Sequence, residues 1–436
     1  MMRSMYAGVS GLRTHQSKMD VIGNNIANVN TVGFKKGQMT FQEVFSQTMR
    51  GASAPQDGRG GTNPMQVGLG VGVGSINTIH TKGSMQPTDN PTDLMIDGEG
   101  FFVVSDDTNF ENRYYTRAGN FSLDRDGNLV TADGYKVLGY KADEDGNPTS
   151  EVGEIQVNKS ETVTASTTKN IELRGNLDSR IPKYEEENKA EDGIHTADTQ
   201  IKDSLGNSYT VTFKFTKGET EEDGTSWEAE VVGVKDLATD KEIDTFETDK
   251  EVNLKFDTNG KLTDDSTKNA TLTITKEGVT FGDKVDGENK GIKIDFSKLT
   301  QYANDMDAKP YAQDGNSSGK LEGFSIDSKG VVLGIFTNGD RKSLGQIMLA
   351  KFDNPMGLQK TGNNFFVDTR NSGEPQLGTG GSSGYGAVAA STLEMSNVDL
   401  SMEFTEMITT QRGFQANSRI ITTSDEMLQE LVNMKR

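Results

Sequence analysis

Both ends of this 436-residue chain carry apolar residues at a spacing of seven, and this spacing constrains the fold more than any other feature. Near the start the repeat comprises Met5, Leu12, Met19 and Ile26. Near the end it comprises Leu400, Met407, Phe414, Ile421 and Leu428. A sustained seven-residue period is typical of helices that pack along a shared stripe. The sequence therefore predicts a helix at each terminus, paired as a coiled-coil-like core.

The C-terminal helix is predicted to be unusually long for a globular domain. The stretch "SNVD" offers Ser396 as its N-cap and Asp399 as its third helical residue, and no proline follows before Arg436. About 37 helical residues would be roughly 55 Å long. The second position of the repeat is often polar, as at Gln411, so the stripe suits association with other copies of the chain better than packing on its own domain.

Four asparagines interrupt the apolar pattern in "DVIGNNIANVNTVGFKK". Asn28 and Asn30, together with Gly33, are predicted to form the turn that ends the first helix, because asparagine and glycine tolerate the left-handed conformation. Asn24 and Asn25 lie in the segment that carries the repeat. An amide there both donates and accepts hydrogen bonds, and we expect these two to fix register across a subunit contact.

The middle of the chain is predicted to be β, with short apolar runs separated by Asp-Gly turns. The pattern "FSLDRDG" at 121–127 recurs as "FSIDSKG" at 324–330. Similar hairpins on either side of a long segment indicate one β domain split by an insertion. In the connector that precedes them, Phe41, Val44, Phe45 and Met49 have the spacing of a short helix.

These patterns predict a multidomain α+β fold in which the paired terminal helices are followed by a split antiparallel β domain and an inserted, mostly β outer domain. The predicted bounds are 1–30 plus 396–436 for the helical domain, 31–70 for the connector, 71–150 plus 319–395 for the split β domain, and 151–318 for the insert.

Charge and composition exclude several classes of protein. The net charge is −20, which disfavours nucleic acid and anionic membranes as partners. Residues 151–310 hold 35 acidic and 21 basic residues, a net charge of −14, so the predicted insert carries most of the excess. The absence of cysteine rules out disulfides and thiolate metal sites. We find no secretory signal and no membrane-spanning stretch, which taken alone indicates a cytoplasmic protein.

No catalytic, cofactor or metal site is predicted. His15, His80 and His195 fall in separate predicted domains, and neither a nucleophile elbow nor a phosphate-binding loop is present. "GLGVGVG" at 68–74 is followed by a strand-like alternation rather than the helix that a dinucleotide loop requires. "DRDGN" at 124–128 has the first carboxylates of a calcium loop without its later ligands, so a hairpin turn explains it better.

The two ends resemble the signatures of the bacterial flagellar rod and hook family. The N-terminal resemblance rests on Leu12, Asn24, Asn25, Ile26, Ala27, Asn28, Asn30, Thr31, Gly33, Phe34 and Lys35. The C-terminal resemblance rests on Ser396, Asn397, Val398, Asp399, Gln411, Arg412, Asn417 and Leu431. With "DGEGFFVV" and "TRAGNFSLDRDGNLV" it covers more than half the chain. The length and the large insert resemble the hook members rather than the shorter rod members.

The resemblance implies a structural subunit that self-assembles into a short curved tube acting as a universal joint between rod and filament. It also implies a homopolymer in contact with a distal rod protein, a hook cap protein, a hook–filament junction protein and the flagellar export apparatus. The location would be extracellular, in the flagellar hook and basal body, after uncleaved type III export, which replaces the cytoplasmic expectation. We expect polymer contacts at the nine repeat residues and at Asn24, Asn25, Asn28 and Gln411.

Three alternatives remain open at this point. One is a distal rod or junction component of the same axial family. A second, from a different class, is a secreted acidic β-rich binding module or adhesin. A carbohydrate-cleaving enzyme that uses paired carboxylates is the third, and no motif points to it.

Overall fold

A computed structural model of the chain has a helix at each end and strands between them. Helix α1 spans Met2–Ala27 and helix α2 spans Leu400–Asn433. The prediction of terminal helices on a mostly β chain is confirmed. The structure describes residues 2–55, 58, 60–143, 146–184, 193–221, 224–243, 246–248, 252–263, 269–274, 280–282, 284–285, 288–289 and 291–434.

The strands follow one another along the chain in three groups. The first group is β1 (Gly37–Glu43), β2 (Ser46–Arg50), β3 (Met65–Gly68), β4 (Val71–Thr78), β5 (Met85–Pro87), β6 (Leu94–Asp97), β7 (Phe101–Ser105), β8 (Tyr114–Thr116), β9 (Ser122–Leu123), β10 (Leu129–Val130), β11 (Lys136–Ala142) and β12 (Pro148–Glu154). The second is β13 (Thr162–Val163), β14 (Asn170–Asn176), β15 (Ile194–Lys202), β16 (Ser208–Glu221), β17 (Gly224–Asp236), β18 (Phe246–Thr248), β19 (Val252–Phe256), β20 (Asn269–Ile274), β21 (Lys284–Val285), β22 (Glu288–Asn289), β23 (Ile292–Thr300) and β24 (Lys309–Gln313). The third is β25 (Gly319–Ile326), β26 (Val331–Phe336), β27 (Arg341–Lys351), β28 (Gln359–Gly362), β29 (Phe365–Val367), β30 (Gln376–Thr379), β31 (Ala387–Ala390) and β32 (Thr392–Glu394).

The chain forms two compact units. The terminal unit comprises Met1–Asn158, Phe324–Gly334 and Lys342–Arg436, and the middle unit comprises Lys159–Gly323 and Ile335–Arg341. Each unit has its own hydrophobic core.

The terminal unit is built on an antiparallel sheet of order β27-β11-β7-β8-β29-β28. Every residue of β7 is buried, as expected for a continuous apolar run, "FFVVS", that is covered on both faces. The core includes Tyr115, whose ring meets that of Phe352 edge to face at 4.8 Å between centroids. The strand pairs β31-β6 and β32-β5 lie outside this sheet.

The middle unit has a four-stranded antiparallel sheet of order β15-β16-β17-β19 and a five-stranded sheet of order β18-β20-β23-β14-β24. Strand β16 follows the period of two predicted by "SYTVTFKF", because its apolar residues Tyr209, Val211, Phe213 and Phe215 are all buried. A bulge in β17 leaves Val232 unpaired and exposed, and the apolar alternation resumes at Val234. The only tryptophan, Trp227, is fully buried in this core.

The repeated sequence pattern corresponds to a repeated turn in the terminal unit. The Asp124 carboxylate accepts hydrogen bonds from the Asn128 backbone and side chain at 2.7 and 2.8 Å. Asp327 likewise accepts from the backbone of Lys329 and Val331 at 2.9 and 2.8 Å. A glycine with positive φ completes each turn. The Asp124 carboxylate is therefore engaged in turn formation, as the hairpin interpretation of "DRDGN" predicts.

Helix α2 begins later than the sequence predicts. Asp399 is the N-cap, and its carboxylate accepts hydrogen bonds from the backbone of Ser401 at 2.8 Å and Met402 at 3.3 Å. The prediction that Ser396 caps this helix is wrong. Aspartate is as good a cap as serine and carries a charge that favours the positive end of the helix, so the helix starts one residue after the carboxylate.

Candidate functional site on the terminal helices

The two terminal helices lie against each other with opposite chain directions. A Cβ atom on Gly8, near the start of α1, would lie 3.3 Å from Cγ1 of Ile421 in the second half of α2. Near the end of α1, Asn25 bonds to Glu403 near the start of α2. The start of α1 therefore lies beside the second half of α2, and the end of α1 lies beside the start of α2. The pair is antiparallel.

Glycines allow the helices to approach closely. A Cβ on Gly11 would lie 2.7 Å from the amide nitrogen of Asn417, and one on Gly413 would lie 2.7 Å from Cε1 of His15. Both distances are shorter than van der Waals contact, so a larger residue at either position would require the Asn417 or His15 side chain, or the helices, to shift. Lys18 forms an ion pair with Glu406 across the same face at 3.1 Å. The face shared by α1 and α2 is therefore built largely of small and polar residues.

Asn25 joins three elements through one amide. Its Nδ2 donates to the Gly37 carbonyl at 2.8 Å and to Oε2 of Glu403 at 3.1 Å, and its Oδ1 accepts from the Gly37 backbone N–H at 2.9 Å. Asn25 and Glu403 are both buried. The Asn25 side chain thus fixes the end of α1 against α2 and against the first residue of β1, within a single chain.

The residues predicted as polymer contacts take different positions. Asn25 is buried, and Asn24, Leu400 and Gln411 are exposed. The half-buried ones are Met5, Leu12, Met19, Ile26, Asn28, Met407, Phe414, Ile421 and Leu428. Asn28 donates through its amide to the Asn24 carbonyl at 2.9 Å at the end of α1, which is the turn chemistry predicted for it. Gly33, also assigned to that turn, has the expected positive φ of 68°.

Large apolar side chains remain exposed on both helices. On α1 they are Met2, Tyr6 and Val9; on α2 they are Leu400, Met402, Phe404, Ile408, Ile420, Met427, Leu431 and Val432, with Met434 just beyond its end. Phe404 and Ile408 are 50% and 58% exposed and lie one turn apart, so they form a patch on one side of α2. Contiguous exposed apolar residues mark interaction surfaces in soluble proteins.

A second exposed apolar surface lies on a β ribbon formed by the β1-β4 and β2-β3 pairs, here called the apolar ribbon. The helix predicted around Phe41 and Phe45 is wrong, because these residues belong to this ribbon. Phe41 in β1 pairs with Val73 in β4 beside a bulge at Thr40/Phe41. The bulge and the strand break between β1 and β2 account for the irregular apolar spacing that imitates a helix. The exposed set is Phe41, Val44, Phe45, Met49, Met65, Val67, Val73 and Ile76.

The apolar ribbon is attached to α1 at its base. The Val71 backbone N–H donates to Ser10 Oγ at 3.3 Å, and Thr14 Oγ1 donates to the Val71 carbonyl at 3.4 Å. The Phe41 ring meets the His15 ring edge to face at 5.4 Å. A two-stranded ribbon is marginally stable in water without further packing. Its exposed apolar face is therefore a second candidate contact surface, continuous with α1.

The segment after α1 enters the core of the terminal unit and carries a buried charge cluster. Lys35 Nζ lies 2.7 Å from Glu394 Oε1, and both side chains are 0% exposed. The same ammonium donates to the Thr81 carbonyl at 2.7 Å. Arg117, 5% exposed, places Nη1 3.6 Å from Glu394 Oε2. One buried carboxylate thus faces two buried cations.

Burial and charge act in opposite directions on these cations. Burial lowers the pKa of Lys35, and the facing Glu394 carboxylate opposes that shift. Burial also lowers the pKa of Arg117, again against the attraction of Glu394. Gly33 makes the entry of this segment possible, since a Cβ there would lie 2.5 Å from the Ala118 backbone nitrogen. Sequence reasoning missed the cluster, although a lysine after "GF" and a glutamate inside the apolar stretch "STLEM" are unusual in buried positions.

His80 lies beside this cluster, packed between the rings of Phe101 and Phe366 at 5.6 and 5.4 Å. Burial, followed by the positive charges of Lys35, Arg117 and Lys360, lowers the pKa of His80 to about 4. The imidazole is therefore neutral at physiological pH, and a proton on it would add a further positive charge to an already cationic region.

Acidification is expected to destabilise the terminal unit through His80. Between its ordinary pKa of 6.5 and the folded value of about 4, the unfolded chain binds the proton more readily than the folded chain. Stability therefore falls as the pH falls through this window, by about 3 kcal/mol in total. Urea unfolding followed by circular dichroism at several pH values across the window measures the loss.

The variant His80→Phe provides the control, because it keeps an aromatic ring between Phe101 and Phe366 and cannot take up the proton. Its stability should change less with pH over the same window. An equal pH dependence in the variant and the original chain would contradict the assignment to His80.

Two kinds of arrangement are absent from the described residues, a metal-ligand cluster and a helix able to cross a membrane. Among the described residues, no group of three or more His, Asp or Glu side chains is arranged to hold a metal. No helix in this part is both long and apolar enough to cross a membrane.

Four family models match successive parts of the chain. The flagellar basal body rod protein model matches residues 5–35, and the flagellar hook protein FlgE/F/G D1 domain matches 95–177. The flagellar basal body protein FlaE D2 domain matches 176–316, and the C-terminal model of the flagellar basal body rod FlgEFG proteins matches 389–434.

Curated relatives align with the whole chain. The flagellar hook protein FlgE of Borreliella burgdorferi is 40% identical, and that of Treponema pallidum is 37% identical, each over 100% of both chains. The flagellar basal-body rod protein FlgG of Bacillus subtilis is 32% identical, also over 100% of both chains. Among solved structures, the Helicobacter pylori flagellar hook protein FlgE2 matches in fold with a TM-score of 0.53 at 16% identity, over 71% of this chain and 100% of that one.

Proposed function

The chain belongs to the flagellar hook protein family, and on that premise we propose that its copies assemble into a short, curved, flexible tube that carries torque from rod to filament. It is a structural subunit of the bacterial flagellar hook. The observation that carries the assembly proposal is the exposure of large apolar side chains on both terminal helices and on the apolar ribbon.

Two surfaces are proposed to form the subunit contacts. On the helices, the small and polar face joins α1 to α2 within one chain, which leaves the apolar residues of α2 available to neighbouring copies. On the ribbon, the apolar residues lie directly beside α1, so one neighbour can cover both. Burial of such side chains between subunits would supply the driving force for association.

The role of each segment follows the predicted domain bounds. We propose that 1–30 and 396–436 form a coiled-coil-like polymer core and that 31–70 connects it to a split β domain of 71–150 and 319–395. The segment 151–318 would be the outer domain. Its net charge of −14 over residues 151–310 favours limited, polar contacts that exchange as the tube bends, rather than a fixed apolar lock.

The predicted contact residues keep this role in the proposal, with one refinement. Asn24 is exposed and can hydrogen-bond to a neighbouring copy. Asn25 already bonds to Gly37 and Glu403 within its own chain, so it would act on assembly by holding the helices in position. The half-buried residues of the helices, such as Met407 and Phe414, would be covered further by neighbours.

The location follows the family, since flagellar hook proteins belong to the flagellum. We propose that the chain is exported uncleaved by the flagellar export apparatus to the extracellular hook. The distal rod, the hook cap and the hook–filament junction proteins would be its neighbours there. The absence of cysteine and the 32% content of hydrophobic residues suit passage in an unfolded state. No catalytic activity is expected of such a subunit.

The alternatives are less well supported. A rod component is the nearest of them, but the two hook relatives are 40% and 37% identical whereas the rod relative is 32% identical. The adhesin and the carbohydrate-cleaving enzyme have no support in the matched families, which are flagellar throughout.

Removing either terminal helix tests the proposal. Deletion of residues 1–30 or of 398–436 is expected to abolish tube formation, seen by negative-stain electron microscopy, because each deletion removes one half of the helix pair. The β structure should remain folded, since both deletions spare Lys35 and Glu394. Fluorescence of the buried Trp227 and circular dichroism report that folding. Tubes formed by either truncated chain would disprove the assignment of the polymer core.

A further inference from the structure

Methionine is concentrated in the segments that form the proposed contact surfaces. The chain has 17 methionines and no cysteine, so thioethers are its only sulfur groups. Residues 1–87 and 396–436 hold the helices and the apolar ribbon. The methionines in these two segments are Met1, Met2, Met5, Met19, Met39, Met49, Met65, Met85, Met402, Met407, Met427 and Met434. The rest of the chain, residues 88–395, holds only five, so methionine is concentrated in these two terminal segments.

Several of these methionines are exposed in the single chain. Met49 and Met65 lie on the paired strands β2 and β3 of the apolar ribbon, and Met402 and Met427 lie on α2. Residues 25 apart in a helix differ by about 20° in direction, so Met402 and Met427 share one side of α2. By contrast, Met95 and Met348 are 0% exposed in the core of the terminal unit.

We propose that Met49, Met65, Met402 and Met427 are oxidation sites that control assembly: a peroxide converts them to sulfoxides in the free subunit, and the oxidised subunit no longer joins the polymer. This proposal rests on the proposed function, because it needs contacts between copies at the ribbon and at α2.

The chemistry is a two-electron oxygen transfer. The thioether sulfur attacks one oxygen of a hydroperoxide, the O–O bond breaks, and a sulfur–oxygen bond forms. The thioether is oxidised to the sulfoxide. The peroxide is reduced: its departing oxygen takes up the proton of the transferred hydroxyl and leaves as water, or as an alcohol when the oxidant is an alkyl hydroperoxide. The reaction is reversible by methionine sulfoxide reductases. Exposure decides the rate, so the four surface methionines react, as do other exposed methionines such as Met356, while the buried Met95 and Met348 are protected.

The effect on assembly follows from the change in polarity. A thioether is a flexible apolar group that adapts to irregular contacts, whereas a sulfoxide is a strong hydrogen-bond acceptor. In the free subunit, water donates hydrogen bonds to the sulfoxide oxygen. Burial between subunits removes this water, and a protein group need not take its place as the hydrogen-bond donor. Each of the four sulfoxides adds this desolvation cost to every subunit contact in which it is buried. Methionines already covered in an assembled tube would be shielded from the oxidant.

The experiment treats monomeric protein with hydrogen peroxide, removes the peroxide, and measures the critical concentration for tube formation by sedimentation and electron microscopy. Mass spectrometry of peptides locates the sulfoxides. Treated protein is expected to need at least about tenfold more subunit to assemble, and methionine sulfoxide reductases should restore the original value. Circular dichroism should stay unchanged, because the core methionines are not modified.

A variant carrying Met49→Leu, Met65→Leu, Met402→Leu and Met427→Leu should assemble equally well before and after peroxide. The matched control is Met356→Leu, since Met356 is 54% exposed but lies in the 3₁₀ turn Pro355–Gly357, outside the helices and the ribbon. This control should lose assembly after peroxide as the original chain does.

Unchanged assembly of a chain with sulfoxides at all four positions would overturn the proposal. So would peroxide-induced loss of assembly in the fourfold leucine variant. A failure of the untreated chain to assemble would instead refute the proposed function itself, so the two failures are distinguishable.

Discussion

Replacing Glu394 by glutamine is expected to lower the free energy of unfolding of the terminal unit by about 3–5 kcal/mol. The glutamine keeps the shape of the side chain but removes the buried carboxylate that faces both the ammonium of Lys35 and the guanidinium of Arg117. Two cations would then remain buried without the opposite charge that offsets their desolvation. Urea unfolding followed by circular dichroism measures the change.

The same chemical change at an exposed ion pair gives the control. Glu151 lies 3.1 Å from Lys141, and both side chains are largely exposed to solvent. Glu151→Gln should cost less than about 1 kcal/mol, because exposed pairs are screened by water. The unfolding of the middle unit, reported by Trp227, should change in neither variant. If Glu394→Gln were as mild as Glu151→Gln, the buried cluster would not hold the terminal unit together.

The second large effect concerns assembly rather than folding. The double variant Phe404→Asp and Ile408→Asp is expected to eliminate tube formation at concentrations where the original chain assembles fully. Both side chains are at least half exposed on one side of α2. They point away from the buried Glu403, which bonds to Asn25 of α1. Carboxylates there would be desolvated by any neighbour that covers the patch. Negative-stain microscopy and sedimentation measure the outcome.

A matched variant separates this effect from added charge alone. Gln415→Glu and Thr409→Asp place two carboxylates at exposed polar positions of the same helix. This variant should assemble nearly as well as the original chain, and circular dichroism of both variants should match it. Normal tubes from the Phe404/Ile408 variant would exclude this side of α2 from the polymer contacts.

The terminal helices could be predicted because their apolar period is local and long. The face by which they meet could not, because it is formed in part by Gly11, Gly413 and Asn417, and hydrophobic periodicity gives no weight to such residues. The large apolar side chains that define the period are half-buried, apart from the exposed Leu400. The seven-residue apolar pattern therefore indicates surfaces at which other molecules are expected to bind, in addition to the contact between the two helices.

The apolar ribbon and the charge cluster could not be predicted from the sequence for a different reason. The pairing of Phe41 with Val73 and the contact of Lys35 with Glu394 join residues that are distant along the chain. Nothing in the spacing around Phe41 distinguishes an interrupted strand from one turn of helix. A single lysine and a single glutamate in apolar surroundings likewise do not identify each other as partners.

The Lys35–Glu394 pair also sets an order for the folding reaction. Its two members are separated by 359 positions, so closing this contact has a high loop entropy cost and requires both ends of the chain to be present. The hairpins of the middle unit, such as β15-β16-β17, connect neighbours in sequence and can form earlier. A chain that emerges gradually from a narrow channel would therefore complete its middle unit first and its terminal unit last. Its terminal helices would be fixed in position only when the whole chain has arrived.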